Sequence, residues 1–159
     1  MWQSEVSIDI DAPVSEVYRY LADFPRHKEW AYARMAYLEQ VTPGPIQVGS
    51  EFAAAETVPF RAVTHSRITA LEPGSRVAWR AWFSKGSAFD WELVLSESDG
   101  GTHLVQRTVW HSALLFRALT WPLVVLRRRQ MPVENRRSLE RIKANLEEGV
   151  LASTSGGNS

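Results

Sequence analysis

Cysteine is absent from the 159-residue chain, which excludes disulfides and thiolate chemistry and fits a cytoplasmic location. An excess of either charge is lacking too, since 18 Lys and Arg balance 18 Asp and Glu. A nucleic-acid-binding domain carries a strongly basic footprint, so no nucleic-acid partner is expected. Long hydrophobic runs are also missing. The oiliest stretch, residues 113–126 (ALLFRALTWPLVVL), falls short of the about 20 apolar residues that a membrane-spanning helix requires. Residues 1–20 carry Glu5, Asp9, Asp11 and Glu16 with no apolar core run, so no signal peptide is expected. The four histidines show no pair at metal-ligand spacing, and neither a metal site nor a cofactor is expected. His111 and Ser112 adjoin in sequence, but no orienting third group completes a nucleophile–base motif.

Aromatic residues are plentiful by contrast, with seven Trp, six Phe and four Tyr. They bury large areas and suit either ordinary core packing or the walls of a site for a flat apolar ligand. The 45% hydrophobic content is that of a globular protein, and the length fits one domain burying about two thirds of its unfolded surface. A single domain over 1–149 is expected, with the small, polar residues 150–159 forming a disordered tail.

Alternation marks a half-buried strand over 4–10, with Val6, Ile8 and Ile10 on one face. Pro13 then suits the first turn of a helix whose apolar side is Val14, Val17 and Leu21, and Glu16 favours that turn electrostatically. A second short helical turn follows Pro25 and ends near Trp30. Residues 34–41 read as a strand whose alternation fits either facing. From Glu51 onward short turns join successive strands in an antiparallel meander, and Asp99-Gly100-Gly101 is a strong hairpin signal.

Pro132 to Glu148 reads as a long helix. Pro132 lacks the N–H that a first turn leaves unpaired, and Gly149 suits a left-handed end. Leu139, Ile142 and Leu146 form a narrow apolar stripe, while Asn135 and Ser138 hold the inward positions toward the N-terminal end. Residues 113–126 are expected to be helical as well, interrupted or restarted around Thr120-Trp121-Pro122. The order strand, two short helices, six strands, long helix predicts an α+β domain, with a seven-stranded curved sheet around the terminal helix.

Several stretches carry a family resemblance. SIDIDAPVSEVYRYLADFPRHKEW (7–30) resembles the opening of the START-like, or SRPBCC, superfamily. ALEPGSRVAWR (70–80) is similar to its central hairpin, DWELVLSESDGGTHLVQR (90–107) to its last one, and RRSLERIKANLEE (136–148) to its terminal helix. The polyketide cyclase/dehydrase branch is the nearest in pattern. The resemblance implies a helix-grip fold, in which a curved sheet wraps the long helix and leaves an apolar tunnel between them. Two departures stand out: residues 113–126 are oilier than the corresponding lead into the helix in many relatives, and Pro132 falls where their helix commonly runs unbroken.

On the inward face, Ala62, Thr64, Ser66, Ile68 and Ala70 give one central strand mostly small or hydroxyl side chains. Trp79, Phe83, Phe89, Trp91 and Trp110 either fill the space above it by large-against-small packing or wall a cavity. In the cavity reading the ligand contacts are those aromatics with Trp30, Phe52, Thr64, Ser66, Gln106, Thr108, Asn135, Ser138 and Leu139. Leu139, Ile142 and Leu146 then seal the closed end, and Asn135 and Ser138 face the open part. Glu56 shares parity with Phe52 and Ala54, where desolvation would raise its pKa and suit it to general acid–base work; a bulged edge would turn it to solvent instead. Arg80 falls on the outward parity. Residues 113–129, oily and then Arg127-Arg128-Arg129, suit either a helix over the sheet mouth or a peripheral contact with anionic membrane. Three functions follow: a carrier of a hydrophobic small molecule, a polyketide cyclase/dehydratase-type enzyme using the same cavity, or a membrane-associated interaction module.

Overall fold

Strand β1 (Trp2–Ile10) pairs not with its successor but with the last strand, β7 (Gly101–Ser112), in unbroken antiparallel register from Trp2–Trp110 to Ile10–Thr102. Between them in sequence lie helix α1 (Val14–Ala22), a 3₁₀ turn (Phe24–Arg26), helix α2 (His27–Trp30), and strands β2 (Met35–Gln40), β3 (Glu51–Glu56), β4 (Ala62–Glu72), β5 (Arg76–Phe83) and β6 (Ser87–Ser98). Helix α3 (Trp121–Ser155) follows β7. The computed structural model describes residues 2–31, 35–56, 62–83, 87–112 and 121–155. The strands form one seven-stranded antiparallel sheet, ordered β1-β7-β6-β5-β4-β3-β2, which curves around α3 as a helix-grip.

Local chemistry explains the joints. Pro13 caps α1 one position before its first turn, its carbonyl accepting from Glu16 and Val17 N–H. Gly100 takes φ +84° at the β6–β7 turn, the left-handed region that only glycine enters freely. A Cβ on the following Gly101 would overlap the Ile10 carbonyl oxygen, so the close approach of β1 and β7 requires glycine there. The meander alternates as its sequence pattern predicts: Phe52, Ala54, Thr64, Ser66, Ile68, Ala70, Leu93, Leu95, Leu104 and Gln106 are all buried on the helix side. In β2 the facing is resolved, with Leu38 and Gln40 half-buried and Tyr37 and Glu39 exposed. A bulge between Met35 and Tyr37 shifts the β2 register against β3.

The long helix differs from expectation at both ends. Pro132 lies inside α3 rather than at its start, and the helix passes Gly149 to end at Ser155, over residues expected to form a disordered tail. Buried Met131 supplies the reason at the first end: it extends the inward face of Asn135, Ser138, Leu139, Ile142 and Leu146 by one turn. That burial offsets the hydrogen bond which Pro132 cannot donate. At the other end Gly149 costs only about 1 kcal/mol relative to alanine within a helix, so it does not by itself enforce a stop.

Among the described residues the interior has two apolar clusters. The larger joins Leu139, Ile142 and Leu146 to Ile10, Val17, Leu21, Phe24, Phe52, Trp79 and Leu104. The smaller packs Met131 against Phe89 and Trp110, with half-buried Trp2 and Trp91 beside them. The end of the helix that carries Asn135 and Ser138 is therefore closed over by apolar side chains one turn further on.

Candidate functional site

The site is built from the strand residues whose alternation carries them toward α3, together with the short segment Phe24–Trp30. Ser4 on β1 lies opposite Thr108 on β7, Val6 lies opposite Gln106, and Thr108 in turn lies opposite Trp91 on β6. Ser4, Gln106 and Thr108 are all buried, and so are Asn135 and Ser138 on the facing turn of α3. Asn135 Nδ2 donates to Thr108 Oγ1 at 3.0 Å. Ser4 Oγ and Gln106 Oε1 are buried with no hydrogen-bond partner among the described residues. Leaving such an atom unpaired costs about 1–3 kcal/mol, so this polar layer holds unused capacity to bind.

Aromatic rings form a chain along the same face. Trp79 and Trp91 stack with centroids 6.0 Å apart and planes 5° from parallel. Trp91 continues to Phe89 at 6.1 Å, and Phe89 stacks on Trp110 at 5.6 Å. Trp110 Nε1 donates to Ser87 Oγ at 2.6 Å. In the other direction Trp79 meets Trp30 at 6.2 Å, His27 at 5.0 Å and Phe24 at 5.6 Å, and Phe24 meets Phe52 at 4.5 Å.

The structure thus gathers Trp30, Phe52, Thr64, Ser66, Trp79, Phe89, Trp91, Gln106, Thr108, Trp110, Asn135, Ser138 and Leu139 on one interior side. Phe83 ends β5 opposite Thr64 and Ser87, and Glu56 ends β3 opposite Met35 and Ala62. The side chains of both lie outside the described residues, as do residues 113–120. Among the described residues no group of His, Asp and Glu is arranged to hold a metal ion.

His27 is the site residue that the sequence pattern leaves near a turn. It is buried against Phe24 at 5.1 Å, Trp30 at 4.1 Å and Trp79, and desolvation lowers its pKa to about 3, so it is neutral at physiological pH. Its Nδ1 and the Trp30 Nε1 have no partner among the described residues. The signal for it is the three-residue spacing of Phe24, His27 and Trp30, which a 3₁₀ turn followed by one α-turn brings to one side. The signal for Ser4 is strand alternation, two residues before Val6 on the inward parity.

The opposite side of the sheet is different in kind. A groove of about 1060 Å³ there is lined by Arg67, Arg76, Arg80 and Arg107 among others. Each of these arginines is engaged by a carboxylate: Arg67 by Glu51, Arg76 by Glu72 and Glu92, Arg80 by Asp90, and Arg107 by Glu5. The fork of Arg80 holds the Asp90 carboxyl below its ordinary range, and His111 Nε2 lies 2.8 Å from the same carboxylate. Arg80 is thus on the outer face, as its parity predicts. These exposed pairs contribute little each, and their charges satisfy one another rather than converging on a bound group.

The family model described as polyketide cyclase/dehydrase and lipid transport matches residues 1–147. The chain belongs to that family. No curated protein matches it. Among solved structures, the di-domain ARO/CYC StfQ of the steffimycin biosynthetic pathway aligns with a TM-score of 0.72 at 17% identity, covering 93% of this chain and 51% of that one. CV1439 from Chromobacterium violaceum aligns at 0.67 and 15% identity, covering 91% and 97%. The polyketide-cyclase-like Cgl2372 from Corynebacterium glutamicum aligns at 0.65 and 20%, covering 93% of each. These likenesses establish the START-like fold. Family and fold together support a role in binding or processing hydrophobic or polyketide molecules.

Proposed function

We propose that this protein binds and carries a hydrophobic small molecule, such as a lipid, a polyketide or another polycyclic compound, in a tunnel between the sheet and α3. One observation carries the reading: Ser4 Oγ and Gln106 Oε1 lie buried, without a partner among the described residues, beside the Thr108–Asn135 bond and next to a wall of stacked tryptophans. A few convergent polar atoms in apolar, aromatic surroundings are how small-molecule sites are composed. Among the described residues no helix is long and apolar enough to cross a membrane. Native mass spectrometry after exposure to a lipid extract tests this; a bound mass that survives gas-phase transfer is expected.

An enzyme of the cyclase/dehydratase kind is favoured by the likeness to StfQ, a di-domain ARO/CYC of a biosynthetic pathway. In that reading the enclosed walls fold a reactive chain, and Glu56 is the acid–base candidate, from its place at the end of β3. Glu56→Gln would abolish turnover and leave ligand retention unchanged. A membrane contact is favoured by Leu126 and Val133, which are 51% and 53% exposed on α3 beside Arg128 and Arg129. Flotation with anionic but not neutral liposomes would support that reading.

A further inference from the structure

We propose that His27 Nδ1 and Trp30 Nε1 form an anchoring subsite for one neutral oxygen, a ketone carbonyl or a phenolic hydroxyl, on an aromatic ligand. The proposal rests on the reading above, that the interior receives a small molecule. It starts from a separate pair of atoms, on α2 rather than on β1 and β7.

Both side chains are more than nine-tenths buried, at 8% and 3% exposure, and their rings lie 4.1 Å apart. Both nitrogens lack a hydrogen-bond partner among the described residues. Two such atoms in one aromatic nest cost the empty protein free energy that an incoming polar group recovers. The chemistry of the two nitrogens selects that group. An indole N–H only donates, so the ligand atom must accept, and an ammonium group is excluded. The imidazole Nδ1 donates or accepts according to tautomer. A carbonyl oxygen can take both protons, and a hydroxyl oxygen can accept from Trp30 while donating to His27. A carboxylate is disfavoured, because its charge would be buried beside an imidazole that burial keeps neutral. Phe24, stacked on His27, and Trp79, edge-on to it, supply the apolar surroundings for the ring that bears the oxygen.

The subsite is held at fixed height above the sheet. Arg141 Nη1 on α3 donates to the Ala31 carbonyl at 2.8 Å, and the Ala31 N–H donates to the His27 carbonyl at 2.8 Å. From the other side, the Tyr20 hydroxyl accepts from Asn145 at 2.8 Å and donates to Glu29 at 3.2 Å. Segment 27–31 is thus pinned to α1 and α3, which preserves the orientation of both nitrogens.

The test compares 2-naphthol with naphthalene, by calorimetry or tryptophan quenching, on the wild-type chain and on His27→Phe and Trp30→Phe. Each variant should lose roughly five- to tenfold in affinity for 2-naphthol, the worth of one hydrogen bond, and stay within about twofold for naphthalene. Equal changes for both probes, or none, overturn the subsite and leave the binding reading standing. Binding of neither probe to the wild-type chain overturns the binding reading and the subsite with it. A readout on the unmutated protein guards against misfolded variants: 2-naphthol should shift the Trp30 indole N–H and the His27 ring nitrogens in NMR spectra, and naphthalene should shift them much less. Indistinguishable shifts would also overturn it.

Discussion

Asn135 Nδ2 donates to Thr108 Oγ1 across 3.0 Å, and this one bond joins α3 to β7 at the level where both present polar side chains to the interior. Above and below that level the buried contacts between helix and sheet are apolar, while at the exposed edge Arg136 and Lys143 donate to the Ser7 and Asp9 carbonyls of β1. The bond therefore sits at the centre of the layer that carries the proposed function.

Removing one partner should cost more than removing both. Asn135→Ala strands Thr108 Oγ1 in a buried site and should lower unfolding free energy by about 1–3 kcal/mol. The double substitution Asn135→Leu with Thr108→Val replaces both partners by apolar groups, and should recover most of that loss. Urea denaturation of the variants measures it, and additive losses in the double variant would show that the bond does not couple the elements.

His27 makes stability depend on pH in a predictable direction. Burial lowers its pKa to about 3, so between there and the ordinary value of 6.5 the unfolded chain binds a proton that the folded protein refuses. Stability is therefore full above the unfolded value and falls as pH falls through this window, by about 1.4 kcal/mol per unit once below about 6. His27→Phe should flatten that slope. Asp90, held below its ordinary carboxylate range by Arg80, contributes stability that is lost only at lower pH still, as pH falls through its folded value. Denaturant midpoints at pH 6.5, 5.5 and 4.5 separate the two groups.

Pro132→Ala distinguishes a helix interior from a helix start. Within α3 it restores an N–H to the Arg128 carbonyl and should stabilise the protein by about 1–3 kcal/mol. At a first turn the same change would be neutral or mildly destabilising, because proline there restricts the unfolded chain.

Leu139→Ala should cost about 2–5 kcal/mol, since Leu139 is fully buried in the larger apolar cluster. A smaller loss would indicate that the surrounding side chains collapse into the space.

Much of this was readable from local pattern, for stated reasons. A strand's period of two assigns Phe52, Thr64, Ser66, Trp79, Phe89, Gln106 and Trp110 to one face, because a buried face fixes register. Leu139, Ile142 and Leu146 follow from helical spacing in the same way. Long-range features were not readable. Met131 is buried by Phe89 and Trp110, residues far from it in sequence, and without that contact Pro132 reads as a natural helix start. The facing of β2 is set by its pairing with β3 and by a bulge, neither of which its own alternation reveals. His27 escapes the sequence pattern because its partners recur at three residues, a 3₁₀ spacing that neither the helical nor the strand template detects.

The central claim is that a hydrophobic molecule occupies the interior between the tryptophan wall and α3. A crystal structure of the chain after exposure to a lipid extract tests it most directly. The account predicts continuous ligand density against Trp79 and Trp91, with a polar atom within hydrogen-bond distance of Gln106 Oε1 or Ser4 Oγ. A solid interior, with protein side chains filling that space and no ligand density, would contradict it.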